Sequence, residues 1–180
     1  RQLAGRESLL VLTNPSPIDA TADIRIFTDL GEVTVSGLSG ISVPAQSTTA
    51  VSLASFAPTV PALALQVQSQ GAKLAGWIQA RAVRGTEATG VDWISPNPQA
   101  TDKAVLPGFV VRGTRVINQT ISSEENSDAG HTLRVFAPEG ANVTVQIVSS
   151  KADVFGAVFT GIIEPGTVSD FPISELKDGD

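Results

Sequence analysis

The sequence predicts an all-β chain: two tandem immunoglobulin-like antiparallel β-sandwich modules, residues 1–98 and 99–180, the second of them incomplete. Three observations lead there. Short segments alternate apolar and polar residues, as in Ala22-Asp23-Ile24-Arg25-Ile26, a period of two that turns one face of a strand to a core and the other to water. Turn signals built on Gly, Pro, Asn and Ser punctuate these segments at the short intervals of a sandwich, and no segment sustains a helical period. The stretch from Leu9 to Phe56 also returns in diverged form between Leu133 and Leu176.

An offset of 121 lays Ala22–Ala45 on Val143–Gly166 without a gap, and Ile26, Val33, Gly40, Ile41 and Pro44 fall on Ile147, Val154, Gly161, Ile162 and Pro165. Upstream, Leu10, Leu12 and Pro15 match Leu133, Val135 and Pro138 if the intervening turn is two residues shorter in the second copy. Turns absorb such changes at little cost. Downstream, Val51, Leu53 and Phe56 are spaced like Phe171, Ile173 and Leu176, each trio following a Pro-led turn. Duplication of one supersecondary unit accounts for the pattern.

Taken in order, Leu9–Thr13 is a strand closed by Asn14-Pro15-Ser16-Pro17, where two prolines remove ladder donors. Ala22–Thr28 is the next strand. Glu32–Ser36 and Gly40–Val43 are expected to form a hairpin around Gly37–Gly40, followed by a strand at Thr48–Leu53 and one helical turn before Pro58. Ala62–Ser69 and Lys73–Ala82 have the pattern of a second hairpin through Gln70-Gly71-Ala72. Arg81–Gly90 is expected to be a polar loop, and Ser95–Thr101, with Pro96 and Pro98, a linker. Strands at Ala104–Val111 and Arg115–Ser122 and a loop at Ser123–Gly130 precede the second copy. That copy has no counterpart of the Ala62–Ala82 pair, so an open sheet edge in the second module is the expected route to self-association.

Apolar residues make up 42% and charged residues 17%, a balance that supports a packed core. No apolar run approaches the roughly 18–20 residues of a membrane-spanning helix. The chain lacks Met even at position 1, which predicts a processed or excised polypeptide and leaves room for a leader or anchor upstream. It lacks Cys, so neither a disulfide nor a thiolate metal site can form. A net charge of −6 argues against a nucleic-acid partner, whose binding is dominated by Lys and Arg neutralising phosphates.

Signals for chemistry are thin. His131 is the only histidine, beside Glu124, Glu125 and Asp128, and Gly37-Leu38-Ser39-Gly40 lacks the spacing of a nucleophile elbow. The acidic loop lacks the calcium-loop pattern, and the glycines near residues 31–40 sit at strand turns rather than opening a phosphate-binding helix. Trp77 and Trp93 are expected in the core by the burial habit of Trp; exposed, they would suit a sugar platform. Asn118-Gln119-Thr120 and Asn142-Val143-Thr144 fit the glycosylation acceptor pattern. No catalytic, cofactor-binding or metal residue is assigned, and no cofactor.

Several short motifs carry a family resemblance. Asn14-Pro15 after an apolar strand, Val43-Pro44-Ala45, the Leu63–Val67 strand and Gly90-Val91-Asp92-Trp93-Ile94-Ser95-Pro96 are similar to those of an actinobacterial family of exported cell-envelope proteins of undefined function. Leu106-Pro107-Gly108, Thr132-Leu133-Arg134-Val135 and Glu164-Pro165-Gly166-Thr167 extend the resemblance over nearly the whole chain. It implies a secreted or membrane-anchored β-rich protein without an assigned activity. The function expected is therefore a non-enzymatic extracytoplasmic structural or protein-interaction module, whose partner is an envelope protein or cell-wall component. A carbohydrate-binding or enzyme-accessory module is the alternative.

Overall fold

A computed structural model describes residues 5–84, 86–110, 132–149 and 156–173. The chain is all-β and antiparallel, and the described residues contain one 3₁₀ turn, Leu53–Ser55, where a helical turn was expected. Two compact units are present: Arg1–Gln99 with Gly166–Val168, and Ala100–Pro165 with Ser169–Asp180.

The first unit is a sandwich. Strand β1 (Arg6–Asn14) alternates strictly, with Ser8, Leu10, Leu12 and Asn14 buried. It lies between β5 (Ser47–Ser52) and β7 (Ala75–Arg84), and β8 (Glu87–Ile94) completes a sheet of order β5-β1-β7-β8. Opposite it, β2 (Ala20–Thr28) carries β6 (Leu63–Gln70) along one edge. Along its other edge lie β3 (Gly31–Val33) and then β4 (Ile41–Val43). Leu10, Leu12, Ile24, Ile26, Val43 and Leu53 form the buried centre between the sheets.

Three expectations about this unit are corrected. Strands β3 and β4 do not form a hairpin; both pair with β2, and Leu38 between them drops into the core while its carbonyl accepts the Ile24 N–H. Nor do β6 and β7: they join opposite sheets, so that Leu63 and Leu65 face Leu74 and Ile78 across the core rather than lying beside them in one sheet. The hairpin lies one strand later, where the polar sequence of Arg81–Gly90 predicts a loop: β7 and β8 pair antiparallel, with a bulge at Ala82 and Val83. Charged and polar side chains on a solvent-facing strand hid it.

In the second copy β9 (Thr132–Ala137) pairs with β12 (Thr167–Pro172), of which Thr167 and Val168 group with the first unit, and β10 (Ala141–Gln146) pairs with β11 (Val158–Ile163). The strand expected over Ala104–Val111 is absent from 104–110, which is exposed coil around Pro107 and Gly108. The strand expected over Arg115–Ser122 and the loop at Ser123–Gly130 lie outside the described residues.

The duplication has a structural counterpart. Strand β9 pairs with β12 as β1 does with β5, and β10 with β11 as β2 does with β4. The gap-free alignment needs one correction. Ala20 opposes Val43 in the first copy, but Ala141 opposes Ile163 in the second, so the offset is 121 at the first strand and 120 at the next. Val43 and Ile163 are both fully buried. The same offset brings Gln46 (φ 52°) onto Gly166 (φ 68°), the left-handed residue before β5 and before β12.

Candidate functional site

The register of the first sheet decides where each side chain points. Leu10 opposes Ile78 and Leu12 opposes Gly76 on the core side, so Val11 and Trp77, also opposite one another, face outwards. Across the next ladder Ile78 opposes Ile94 on the inner face, whereas Gln79 opposes Trp93 and Arg81 opposes Val91 on the outer. Trp77 and Trp93 therefore share the outer face as diagonal neighbours, a relation that places such residues about 7–8 Å apart in an antiparallel pair.

Trp77 is 38% exposed, Trp93 53% and Val91 60%. This corrects the expectation that both tryptophans lie in the core. Gly76 and Ile78 take the inner positions on either side of Trp77, and a strand has only two faces. Leu9 and Val11 extend the patch as half-buried residues. Arg81 Nε donates to Gln79 Oε1 at 2.9 Å, and the Thr13 and Thr48 hydroxyls meet at 3.0 Å further along the same face. The surface is thus an apolar and aromatic platform edged by hydrogen-bonding side chains, with Arg81 opposite Glu7 at one end.

A concavity of about 310 Å³ opens on the outer face of β10 and β11, between Asn142, Thr144, Thr160 and Ile162. Asn142 of the glycosylation pattern is exposed there. His131, Glu124, Glu125, Asp128 and Asn118 lie outside the described residues. Among the described residues no group of three or more His, Asp or Glu side chains could hold a metal ion, and no helix is long and apolar enough to cross a membrane.

The family model described as "Family of unknown function (DUF5719)" matches residues 2–180. The chain belongs to that family. No curated protein and no solved structure matches this DUF5719 chain. Membership of DUF5719 agrees with the resemblance in its coarse part, a family without assigned function that spans the chain.

Two charged contacts hold the DUF5719 sheets without belonging to the platform. Arg25 donates through Nε to Glu32 Oε1 at 2.7 Å and through Nη2 to Oε2, and its guanidinium stands 4.9 Å from the Phe27 ring centre. That double hydrogen bond lowers the Glu32 pKa against a smaller desolvation effect. In the second unit Arg134 makes the equivalent fork on Asp170, at 2.7 and 2.8 Å, tying β9 to β12. Both of its side chains are more buried than those of the Arg25–Glu32 pair.

Proposed function

We propose that the chain is a non-catalytic interaction module of the actinobacterial cell envelope, working outside the cytoplasm, and that it binds a protein partner through the outer face of the β5-β1-β7-β8 sheet. The supporting observation is the placement of Trp77, Trp93 and Val91 together on that face, exposed, where folding alone gives no reason to put them. Trp is the residue most enriched among interface hot spots, because it contributes a large rigid apolar area and an N–H donor. The actinobacterial and exported setting rests on the motif resemblance carried by Asn14-Pro15 and Gly90–Pro96.

The test is capture of partners from an envelope extract by crosslinking, with the chain and its Trp77→Ala/Trp93→Ala variant compared at matched concentration. Both side chains are solvent-facing, so the variant is expected to keep its far-UV circular dichroism. Each truncation at a hot spot costs about 2 kcal/mol or more, so recovery of a specific partner should fall well over tenfold. Undiminished capture by the variant would move the binding surface elsewhere.

The exposure of the two tryptophans also favours a second reading, a carbohydrate-binding module, since an aromatic face suits the C–H surface of a sugar ring. Cosedimentation with insoluble cell-wall polysaccharide separates the two. Retention of the chain and loss of the double variant, with no protein captured from the extract, would select the sugar.

A further inference from the structure

We infer that the first sandwich is built to pair with a second copy of itself, each copy's β8 filling a one-strand gap beside β6 of the other. One sheet is four strands wide, β5-β1-β7-β8. The facing sheet is only three wide, because β3 and β4 share a single edge of β2 and β6 takes the other. Strand β4 approaches both β5 and β1, so the two sheets are level on that side and the surplus strand, β8, projects past β6 on the far side.

Exposure records the mismatch. Ile94 sits on the inner face of β8, level with Ile78, which packs on the core; Ile94 is nevertheless 49% exposed. Val67 sits on the inner face of β6 opposite the buried Ile24, yet is 37% exposed. These two residues line the open mouth of the sandwich. Strands within a sheet lie about 4.8 Å apart and packed sheets about 10 Å, so the gap beside β6 and beneath β8 is one strand wide. Among the described residues no strand pairs with the outer edge of β6 or of β8, although the Trp93 N–H of β8 already donates to Asp92 Oδ1 at 2.8 Å.

An overhang and a vacancy of equal width, on opposite sheets at the same side, are related by a two-fold axis running along the strands. Rotation about such an axis through the mouth puts the second copy's β8 beside β6 and its β6 beside β8. Both sheets then continue across the pair without an edge at the junction. The contact is isologous, each copy giving what it receives, and it closes at two. It would bury Ile94 and Val67 of both copies and pair two eight-residue edges by strand addition. Trp77, Trp93 and Val91 remain on the outer face, so this pairing does not depend on the binding surface proposed above. Asp92, opposite Ala80 on the inner face of β8, opposes association, because the axis brings a second Asp92 into the same interface.

Sedimentation velocity on the chain over a wide concentration range tests the inference. The expected result is a reversible species of twice 18.6 kDa. Ile94→Lys and Val67→Lys, both at exposed positions and checked for fold by circular dichroism, should each weaken it by about tenfold or more. Val91→Lys on the outer face should leave it unchanged, and Asp92→Asn should tighten it. A monomer at the highest concentration, or a dimer that survives both inner-face variants, would overturn the inference. So would a monomer whose β6 and β8 amides gain protection only when an extended apolar peptide is added, which would assign the gap to a different partner.

Discussion

Asn14 shows how one side chain can set the geometry of a turn. It is fully buried, donates through Nδ2 to the carbonyls of Ile18 at 2.8 Å and Val43 at 3.0 Å, and accepts the Ser16 N–H on Oδ1 at 3.0 Å. It thereby fastens the end of β1 to its own turn and to the opposite sheet. Asn14→Ala is expected to lower unfolding stability by about 2–4 kcal/mol, since it leaves a buried carbonyl without its donor; chemical denaturation measures this. The aligned residue of the second copy, Ala137, has no side chain able to do this. Its turn is two residues shorter, as the spacing predicts, and Gly140 closes it by donating to the Ala137 carbonyl. The Asn-Pro-Ser-Pro run announced a turn, but which polar atoms the buried amide would reach depended on β4, far along the chain. The outward placement of Trp77, by contrast, was legible from its alternation with Gly76 and Ile78, and the general burial habit of Trp pointed the wrong way. Glu32 carries a pH prediction. Arg25 lowers its folded pKa below the ordinary 4.5, so the stability this contributes is present above that pH and is lost as pH falls through the folded value. Melting temperatures of the chain and of Glu32→Gln should differ at neutral pH and converge below about pH 4.5, by an amount that solvent screening of this exposed pair keeps small.

At the scale of elements, inside-outside alternation located most strands, and pairing was the harder problem. Ala62–Ala82 has the sequence of a hairpin, two alternating runs around a Gly. In a sandwich the same two runs can instead face each other across the core, and local sequence does not distinguish the arrangements because both bury the same side chains. The deciding partners, β1 for β7 and β2 for β6, lie at the other end of the module. The second unit shows how a small residue lets two sheets meet. Phe159 on β11 and Phe171 on β12 approach to 5.5 Å between ring centres, and a Cβ on Gly161 would fall 2.5 Å from the edge of the Phe171 ring. Gly161→Ala should therefore force the ring aside and cost about 1–3 kcal/mol, as overpacking does. Phe171→Leu in the same chain should recover part of that loss, and a double-mutant cycle by thermal denaturation would show the non-additivity. Purely additive losses would mean that the ring is not what Gly161 accommodates.

At the scale of the molecule, the repeat was legible because a two-residue period survives divergence of the side chains that carry it. Ile24 and Val145 keep corresponding places in β2 and β10 although neither their identity nor their depth of burial is the same. The one-residue slip between the copies was not legible, because Gly, Ile and Pro recur by chance near turns. It emerged only from the opposition of Ala141 to Ile163 and from the left-handed backbone at Gln46 and Gly166. The copies also differ in what they bury. The buried cluster around Leu12 draws all its members from the first unit, between Leu10 and Ile78, whereas most strand residues of the second unit are half-buried. Such a difference predicts separate stabilities, with the weaker core opening at a lower free energy. Leu12→Ala, which empties a fully enclosed site, should lower the stability of the first unit by about 2–5 kcal/mol. Hydrogen exchange should then show faster opening of β1, β2 and β7, while the amides of β10 and β11, which lie wholly in the second unit, exchange at their original rates. Equal acceleration in β10 and β11 would show instead that the two units unfold as one, and that the duplicated halves share a single cooperative transition.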